Sequence, residues 1–237
     1  MKVLVLGHKG MLGHMVVRYL TDNKFNVSTT ESRWPDNKAE ITEFDGDYII
    51  NCIGAIPQKT DDFDINWVIP IWLDLHAPCK IIHPGTDCEM DDDNYGISKR
   101  IAANYIKEHG KQTKSIKTSI IGPELDSNDG LFEWFLTQEE TVSGYTKAIW
   151  NGNTTLEWAK YCEQLMNAWT MFHGSELIIS TNSISKYKLL HEINNIFEMD
   201  IEIIKEDIGK DKSLKGIVNT GDIRTQLEEL KKYYYDS

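Results

Sequence analysis

Short apolar runs alternate with longer amphipathic stretches along this chain of 237 residues. The short runs, bounded by turn residues, predict strands at residues 2–6, 26–30, 48–53, 80–83, 115–121 and 177–180. Apolar positions at helical spacing predict helices at residues 11–22, 66–75, 95–108, 131–137, 155–168, 185–197 and 221–234. Such alternation is typical of βαβ units, and it predicts an α/β fold with a Rossmann-type, doubly wound parallel sheet. Residues 31–47 are too few for a full helix and strand, so we expect one unit to be abbreviated.

Composition and charge exclude several classes of protein. The chain is 41% hydrophobic, which allows a sizeable core, and no apolar run approaches the ~18 residues that span a bilayer. We therefore expect a cytoplasmic protein with no membrane partner. A formal net charge of −12 opposes binding to a phosphate backbone, so nucleic acid is not an expected partner. The scattered cysteines fit a reducing compartment, the histidines do not pair at ligand spacing, and we predict no structural metal.

A glycine-rich segment follows the first predicted strand directly and precedes the first predicted helix. Its sequence is GHKGMLG at residues 7–13, in the pattern GxxGxxG. Glycines allow a sharp turn and the close approach of a pyrophosphate to a helix N-terminus, where unpaired amides and the helix dipole favour an anion. We predict that this loop binds a dinucleotide through Gly7, Lys9, Gly10, Met11, Leu12 and Gly13.

A second motif, YGISK, lies at residues 95–99 in a predicted helix. Tyr95 and Lys99 are four residues apart on one helix face, so the ammonium can stabilise the phenolate and lower the pKa of Tyr95. A tyrosine of this kind is usable as a proton donor near neutral pH. Thr86 lies just beyond the predicted strand at residues 80–83, and ligands of parallel sheets gather outside the carboxyl ends of the strands.

The glycine loop, the Thr-Asp pair after a strand in the middle of the sheet, and the YxxxK motif together resemble the extended short-chain dehydrogenases/reductases. Within them, GTDC at residues 85–88 followed by YGISK is most similar to the dTDP-4-dehydrorhamnose reductase family. The resemblance continues through KTSIIGPE at 117–124, WNGNTTL at 150–156 and ISKY at 184–187, so it covers nearly the whole chain.

This resemblance implies an enzyme that uses NADPH to reduce a nucleotide-linked 4-keto-6-deoxy sugar. The implied catalytic residues are Thr86, Tyr95 and Lys99. Tyr95 would protonate the developing alkoxide, Thr86 would hydrogen-bond the same oxygen, and Lys99 would tune Tyr95 and hold the nicotinamide ribose. Further implied cofactor contacts are Cys52, Ile53 and Gly54, and the implied substrate contacts are Thr86, Asp87, Cys88, Glu124 and Trp134.

The resemblance also implies how the chain is divided. An NAD(P)-binding Rossmann domain would comprise residues 1–122 and 151–182. A small substrate-binding lobe, built from C-terminal segments, would comprise residues 123–150 and 183–237. A nucleotide sugar is the implied partner, and a homodimer is left open.

Particular residues keep other activities open. Nucleotide-sugar 4,6-dehydratases usually carry an acidic residue immediately after the Thr-Asp pair, where this chain has Cys88, although Glu89 is adjacent. GDP-fucose synthases have an epimerising cysteine at the position of Cys88, but Glu124 stands where their partner histidine is expected. A non-catalytic, NADP-binding regulatory subunit is a further alternative, against which the intact catalytic residues count.

The connection between Thr86 and Tyr95 departs from the family pattern. Only eight residues separate them, fewer than the family usually carries, so this loop is expected to cover less of the substrate. The connection contains Asp91, Asp92 and Asp93. An acidic run is electrostatically awkward beside a diphosphate, and we expect a solvated turn that points away from it.

The end of the second predicted strand makes the choice of cofactor ambiguous, because Glu31 stands beside Arg33. A carboxylate there favours the free 2′-hydroxyl of NADH, whereas cations favour the 2′-phosphate of NADPH. Lys9 lies in the glycine loop where fucose synthases carry a basic residue that reaches this phosphate. Lys9 and Arg33 should outweigh Glu31, whose carboxylate can turn to solvent, so we predict NADPH, with NADH as the alternative.

Overall fold

The computed structural model describes residues 1–236, and its first half alternates strands with helices. The strands are β1 (Lys2–Leu6), β2 (Asn26–Thr29), β3 (Tyr48–Asn51), β4 (Lys80–Gly85), β5 (Thr113–Lys117) and β6 (Ile120–Ile121). The helices are α1 (Met11–Asp22), α2 (Lys38–Thr42), α3 (Ile65–His76) and α4 (Asn94–His109). A 3₁₀ turn, Asp87–Met90, lies between β4 and α4.

The second half contains seven strands, four of them of only two residues, and four more helices within the described residues. The strands are β7 (Thr141–Tyr145), β8 (Ile149–Trp150), β9 (Asn153–Thr154), β10 (Glu176–Ser180), β11 (Ile184–Ser185), β12 (Glu202–Glu206) and β13 (Val218–Asn219). The helices are α5 (Leu131–Leu136), α6 (Thr155–Asn167), α7 (Lys186–Ile196) and α8 (Ile223–Tyr234).

Seven strands of residues 1–236 form one sheet in the order β13-β10-β5-β4-β3-β1-β2. Strand β1 pairs in parallel with β2 on one side and with β3 on the other. Successive strands are therefore added first on one side of β1 and then on the other, which makes β1 the switch point of the strand order. Ligands of open α/β sheets bind outside the carboxyl ends of the strands at such a switch point. Strand β3 is buried along its whole length, as expected of a parallel sheet that is covered on both faces.

The fold class predicted from the sequence is confirmed. Strand β1 and helix α1 have the predicted bounds, and each of the other predicted helices is found with its ends within two residues of the prediction. The abbreviated unit is confirmed as well, because residues 31–47 contain only the five-residue helix α2. The sheet therefore has a single strand, β2, beyond β1 on that side.

One predicted strand is wrong in its length. The run at residues 115–121 is divided, because β5 ends at Lys117 and β6 pairs in parallel with β9 instead of joining the large sheet. Thr118 lies at the break, where its buried hydroxyl accepts a hydrogen bond of 2.8 Å from Asn153 Nδ2. The sequence also missed the parallel pair of β7 and β12. Polar residues alternate along β7 with a glycine among them, and this composition resembles a loop.

The chain divides into two compact units. The first comprises Met1–Lys117 and Trp158–Leu177, and the second comprises Thr118–Glu157 and the chain from Ile178 onward. The second unit contains the small strand pairs β8 with β11, β7 with β12, and β6 with β9. The predicted functional division at residues 122, 151 and 182 stays a prediction. None of the described helices combines the length and the apolar character that crossing a bilayer requires.

A buried carboxylate joins helix α3 to the start of strand β5. Asp74 is 3% exposed and accepts hydrogen bonds from the backbone amides of Lys111 and Gln112 and from the hydroxyl of Thr113. Buried donors without an acceptor are costly, so this side chain fixes the loop that leads from α4 into the sheet.

We expect Asp74→Ala to lower the free energy of unfolding by about 2–3 kcal/mol, because it leaves these donors without their acceptor. Urea denaturation of the two proteins measures the difference. Asp36→Ala, at an exposed position of the same unit, should change the free energy of unfolding by less than about 0.5 kcal/mol. Equal losses for the two variants would contradict the role given to Asp74.

Candidate active site

The loop after β1 is shaped by two close backbone approaches. Gly7 has a φ of +73°, and a Cβ atom there would lie 2.9 Å from the carbonyl of Cys52 and from the amide of Ile53. A Cβ atom on Gly13 would lie 2.2 Å from the carbonyl oxygen of Gly7. Only glycine fits at either position, so the loop packs directly against the end of β3.

The start of helix α1 suits an anion. Its N-cap residue, Gly10, has no side chain that could occupy the first amides, and the first turn carries no acidic residue. The first amides of a helix lack intrahelical partners, and the helix dipole favours negative charge beside them. The loop and the helix start therefore fit the pyrophosphate of a dinucleotide, with Met11 and Leu12 beginning the helix.

The loop after β3 joins the glycine loop to the predicted catalytic lysine. Cys52 and Ile53 contact Gly7, as described above. A side chain on the next residue, Gly54, would begin 3.3 Å from Lys99 Nζ. The structure thus brings the predicted cofactor residues of three separate chain segments to one edge of the sheet.

Asn66 is a site residue that the sequence did not reveal. It is 1% exposed in helix α3, and its amide group donates to the carbonyl of Ala55 and to Ser98 Oγ, each at 3.1 Å. Its oxygen accepts from the amide of Ala55 at 2.8 Å. Asn66 therefore fixes the loop after β3 against helix α4. A lone polar residue in the apolar helix INWVIPIWL is the signal that marks such a buried role.

The predicted catalytic residues follow the carboxyl end of β4. Thr86 comes directly after the strand and caps the 3₁₀ turn, where its hydroxyl accepts from the amide of Cys88 at 3.2 Å and donates to Asp87 Oδ1 at 3.1 Å. Tyr95 lies in the first turn of α4, and Lys99 Nζ is 5.8 Å from the centroid of its ring. The expected shared helix face is confirmed.

Burial shifts the pKa values of the pair in opposite directions. Burial first, and then the neighbouring Cys88 and Asp87, raise the pKa of Tyr95 above its ordinary value. The expectation that Lys99 lowers the pKa of Tyr95 is therefore wrong for this structure, because desolvation of the phenolate is the larger effect. Burial also lowers the pKa of Lys99 to about 8, so the ammonium is charged at neutral pH. Burial, with a smaller effect of Lys99, lowers the pKa of His83 on β4 to about 3, so this neighbour is neutral.

The short connection from Thr86 to Tyr95 is held by polar contacts. Glu89 is 5% exposed, and its carboxylate accepts from the amide of Thr86 at 3.1 Å and pairs with Lys117. Arg100 of helix α4 donates to the carbonyl of Glu89 at 3.1 Å. These contacts order the turn from both of its neighbours, β5 and α4.

The acidic run in this connection is more than a solvated turn. Asp92 and Asp93 are exposed, as expected. Asp92 nevertheless pairs with Arg100 at 3.4 Å, and Asp93 caps helix α4 by accepting from the amide of Gly96 at 2.7 Å. Asp91 accepts from Arg100 through its carbonyl at 3.3 Å.

The residues predicted to choose the cofactor are exposed beside the glycine loop. Lys9 Nζ lies 2.9 Å from Glu31 Oε2, and His8 Nε2 lies 3.5 Å from the other oxygen. Lys9 holds this carboxylate and lowers its pKa, while the Glu31 side chain itself is 76% exposed. That it yields Lys9 to a 2′-phosphate stays a prediction. Arg33 is exposed, and its carbonyl accepts from the amides of Asp36 and Asn37.

Two predicted substrate residues lie in the second unit. The carboxylate of Glu124 accepts from the amide of Gly130 at 2.5 Å and from the hydroxyl of Ser127. Trp134 is half-buried on α5. Their roles stay predictions, as does that of Cys88, whose Sγ is 3.7 Å from Asp87 Oδ1. Residues 1–236 contain no cluster of three or more side chains suited to holding a metal ion.

No family model matches this chain, and no curated protein matches it in sequence. Solved structures do match. A dTDP-4-dehydrorhamnose reductase from Clostridium acetobutylicum has a TM-score of 0.78 at 17% identity, with 97% of this chain and 98% of that chain covered. A dTDP-4-dehydrorhamnose reductase from Bacillus anthracis, in complex with NADP, has a TM-score of 0.75 at 14% identity and the same coverage of 97% and 98%. A dTDP-glucose 4,6-dehydratase from Bacillus anthracis, in complex with NAD, has a TM-score of 0.75 at 14% identity, covering 100% of this chain and 97% of that chain.

These likenesses show the fold. The chain has the Rossmann-type fold that these solved structures share, as the sequence resemblance implied. Reductases and a dehydratase share this fold, and their structures include complexes with NADP and with NAD. A shared fold does not fix the reaction, so the cofactor and the reaction must be argued from the residues of the site.

The role of the glycine loop can be tested by measuring the affinity of variants for NADPH and NADH. We expect Gly13→Ala to abolish measurable binding of NADPH and NADH, because the new Cβ atom must displace the carbonyl of Gly7. Fluorescence titration measures the dissociation constants, and circular dichroism shows whether the variant is folded. Gly10→Ala is the milder substitution in the same loop and should weaken binding far less, since its Cβ atom would lie 3.4 Å from the same oxygen. A folded Gly13→Ala protein with parental affinity would refute the assignment of this loop.

Proposed function

We propose that this protein uses NADPH to reduce a nucleotide-linked 4-keto-6-deoxy sugar in the cytoplasm. The observation that carries the proposal is the continuity of the site. The glycine loop touches Cys52, Gly54 lies beside Lys99, and Lys99 shares a helix face with Tyr95. A dinucleotide along this edge would bring its nicotinamide to the predicted catalytic residues.

The residues present support proton donation to a carbonyl oxygen. When bound, the nicotinamide supplies the hydride. Tyr95 is protonated at neutral pH, and because its pKa is raised further it gives the proton to the oxygen only as negative charge develops there. Thr86 stabilises the same oxygen by turning its hydroxyl from Asp87 to the substrate. Lys99, charged below a pKa of about 8, stabilises the phenolate that Tyr95 becomes.

The same contacts favour a reductase over a dehydratase. Water elimination needs an acid or base beside the Thr-Asp pair, and Cys88 holds that position. The adjacent Glu89 is committed to Lys117 and to the amide of Thr86, so it is not free to exchange protons with a sugar. An epimerase would need a partner for Cys88, and Glu124 at the expected position accepts hydrogen bonds from its own loop.

Purified protein should therefore oxidise NADPH when a nucleotide 4-keto-6-deoxy sugar is added, and a panel of nucleotides and sugars identifies the substrate. A non-catalytic binding protein would change NADPH fluorescence without consuming the cofactor. The same reaction in deuterated water, followed by NMR of the product, distinguishes an epimerase, which would place deuterium at the carbons beside the ketone.

We expect Tyr95→Phe to lower kcat by about 10²- to 10⁴-fold with little change in NADPH affinity, because the variant loses the proton donor and keeps the ring. Steady-state kinetics and cofactor titration measure the two quantities. Tyr145→Phe, at an exposed tyrosine of β7, is the matched control and should retain parental turnover. Turnover of Tyr95→Phe within tenfold of the parent would rule out Tyr95 as the donor.

The proposed preference for NADPH predicts that loss of either cation, Lys9 or Arg33, and loss of the Glu31 charge have opposite effects on NADPH binding. Lys9→Ala should weaken NADPH about tenfold or more and NADH much less, since it removes a charge-assisted hydrogen bond to the 2′-phosphate. Arg33→Ala should act in the same direction. Glu31→Gln should strengthen NADPH, because the carboxylate competes for Lys9. Titration of both cofactors into each protein decides the matter, and tighter binding of NADH by the parent would overturn the preference.

A further inference from the structure

A buried ion pair lies beside the predicted catalytic residues and has no part in the mechanism above. Glu89 belongs to the 3₁₀ turn after β4, and Lys117 is the last residue of β5. Their side chains are 6% and 13% exposed. Glu176 of β10 is a second and more distant partner, at 3.6 Å from Lys117 Nζ. Two charges so far removed from water are costly unless their geometry is well satisfied.

The carboxylate of Glu89 has a second contact, which involves Thr86. One oxygen accepts from the amide of Thr86 at 3.1 Å while the other faces Lys117. The hydroxyl of Thr86 accepts a hydrogen bond from the backbone of the same 3₁₀ turn. The two reciprocal hydrogen bonds form a capping box. The carboxylate of Glu89 therefore holds the backbone of Thr86 directly. It acts on the Thr86 hydroxyl indirectly, through the turn whose Cys88 amide donates to that hydroxyl.

The strands leave room for this arrangement at one glycine. Gly85 of β4 is paired with Lys117 of β5, and a Cβ atom on Gly85 would lie 2.9 Å from the Cβ atom of Lys117. The lysine stem thus passes close over the residue that precedes Thr86. Arg100 fixes the carbonyl of Glu89 from the other side. Contacts with β5 and with α4 therefore hold the turn on both sides, at the start of the short connection to Tyr95.

We propose that Glu89 and Lys117 are positioning residues, whose ion pair holds the hydroxyl of Thr86 in reach of the substrate oxygen in place of a longer supporting loop. The role rests on the proposed reductase function. Neither residue contacts the reacting atoms, and each acts through Thr86.

The charges around Glu89 give this role a pH signature. Lys117 and Glu176 face it from the sheet, and Tyr95 and Lys99 lie within electrostatic range on α4. Burial raises the pKa of Glu89, and Lys117 opposes this effect. Removal of Lys117 alone should raise the pKa of Glu89 further. The carboxyl is then neutral at low pH, and as the pH rises it becomes an uncompensated buried anion that disturbs Thr86 and raises the pKa of Tyr95.

Steady-state kinetics across pH test the proposal. Lys117→Met should lower kcat about tenfold or more at high pH and less at low pH, with the KM for NADPH unchanged. Adding Glu89→Gln should restore most of the turnover and flatten the profile, because the amide oxygen still accepts from Thr86 without a charge. Lys111→Met, at an exposed lysine, is the control. A parental pH profile for Lys117→Met, or a double variant no better than the single one, would overturn the proposal.

NMR of the full chain labelled with ¹⁵N-threonine supplies a readout that needs no substrate. The amide proton of Thr86 should move upfield in Glu89→Gln, and not in the exposed control Glu228→Gln, because a hydrogen bond to a carboxylate is stronger than one to an amide. An unmoved Thr86 signal overturns the positioning role whatever the protein reduces. A shifted signal in a protein that reduces no 4-keto sugar overturns the reductase function and leaves the contact intact.

Discussion

The close approach of helix α1 to the loop after β1 is the constraint on which the proposed site depends. The carbonyl of Gly7 occupies space that any side chain on Gly13 would need. This contact brings the helix start to the carboxyl end of β1, at the switch point of the sheet. The same loop packs against Cys52 and Ile53, which follow β3. The next residue, Gly54, lies beside Lys99. This backbone contact thus brings the amides at the start of α1 to the side of the sheet where β4 and α4 place the candidate catalytic residues.

Electrostatics in this acidic chain are local. The net charge of −12 opposes an anionic ligand at long range, so its phosphates must be held by nearby donors. The amides at the start of α1 and the ammonium group of Lys9 are the donors that we propose for this role. Burial acts on the candidate catalytic pair in opposite directions, keeping Tyr95 protonated and making Lys99 easier to deprotonate. Both shifts have the same physical cause, which is that burial disfavours the charged form.

Hydrogen bonds and an ion pair support the short turn after β4. The connection from Thr86 to Tyr95 is too short to cover much of a substrate, and it contains few residues that could hold Thr86 in place. Glu89, Lys117 and Arg100 supply that support from the turn, the sheet and helix α4. The commitment of Glu89 to this network also removes it from acid–base chemistry. The same contacts therefore favour one reaction class and stabilise the backbone that serves it.

The sequence by itself determined the fold class, most helix bounds and the order of the motifs, because hydrophobic period and glycine placement are local signals. Gly7, Gly13, Tyr95 and Lys99 were identifiable in this way. The tertiary structure decided what depends on residues far apart in the chain. Lys117 meets Glu89 across 28 positions, and Asn66 meets Ser98 across 32. The direction of the pKa shift of Tyr95 belongs to the same group, because desolvation depends on which segments surround a side chain, and spacing along a helix does not contain that information.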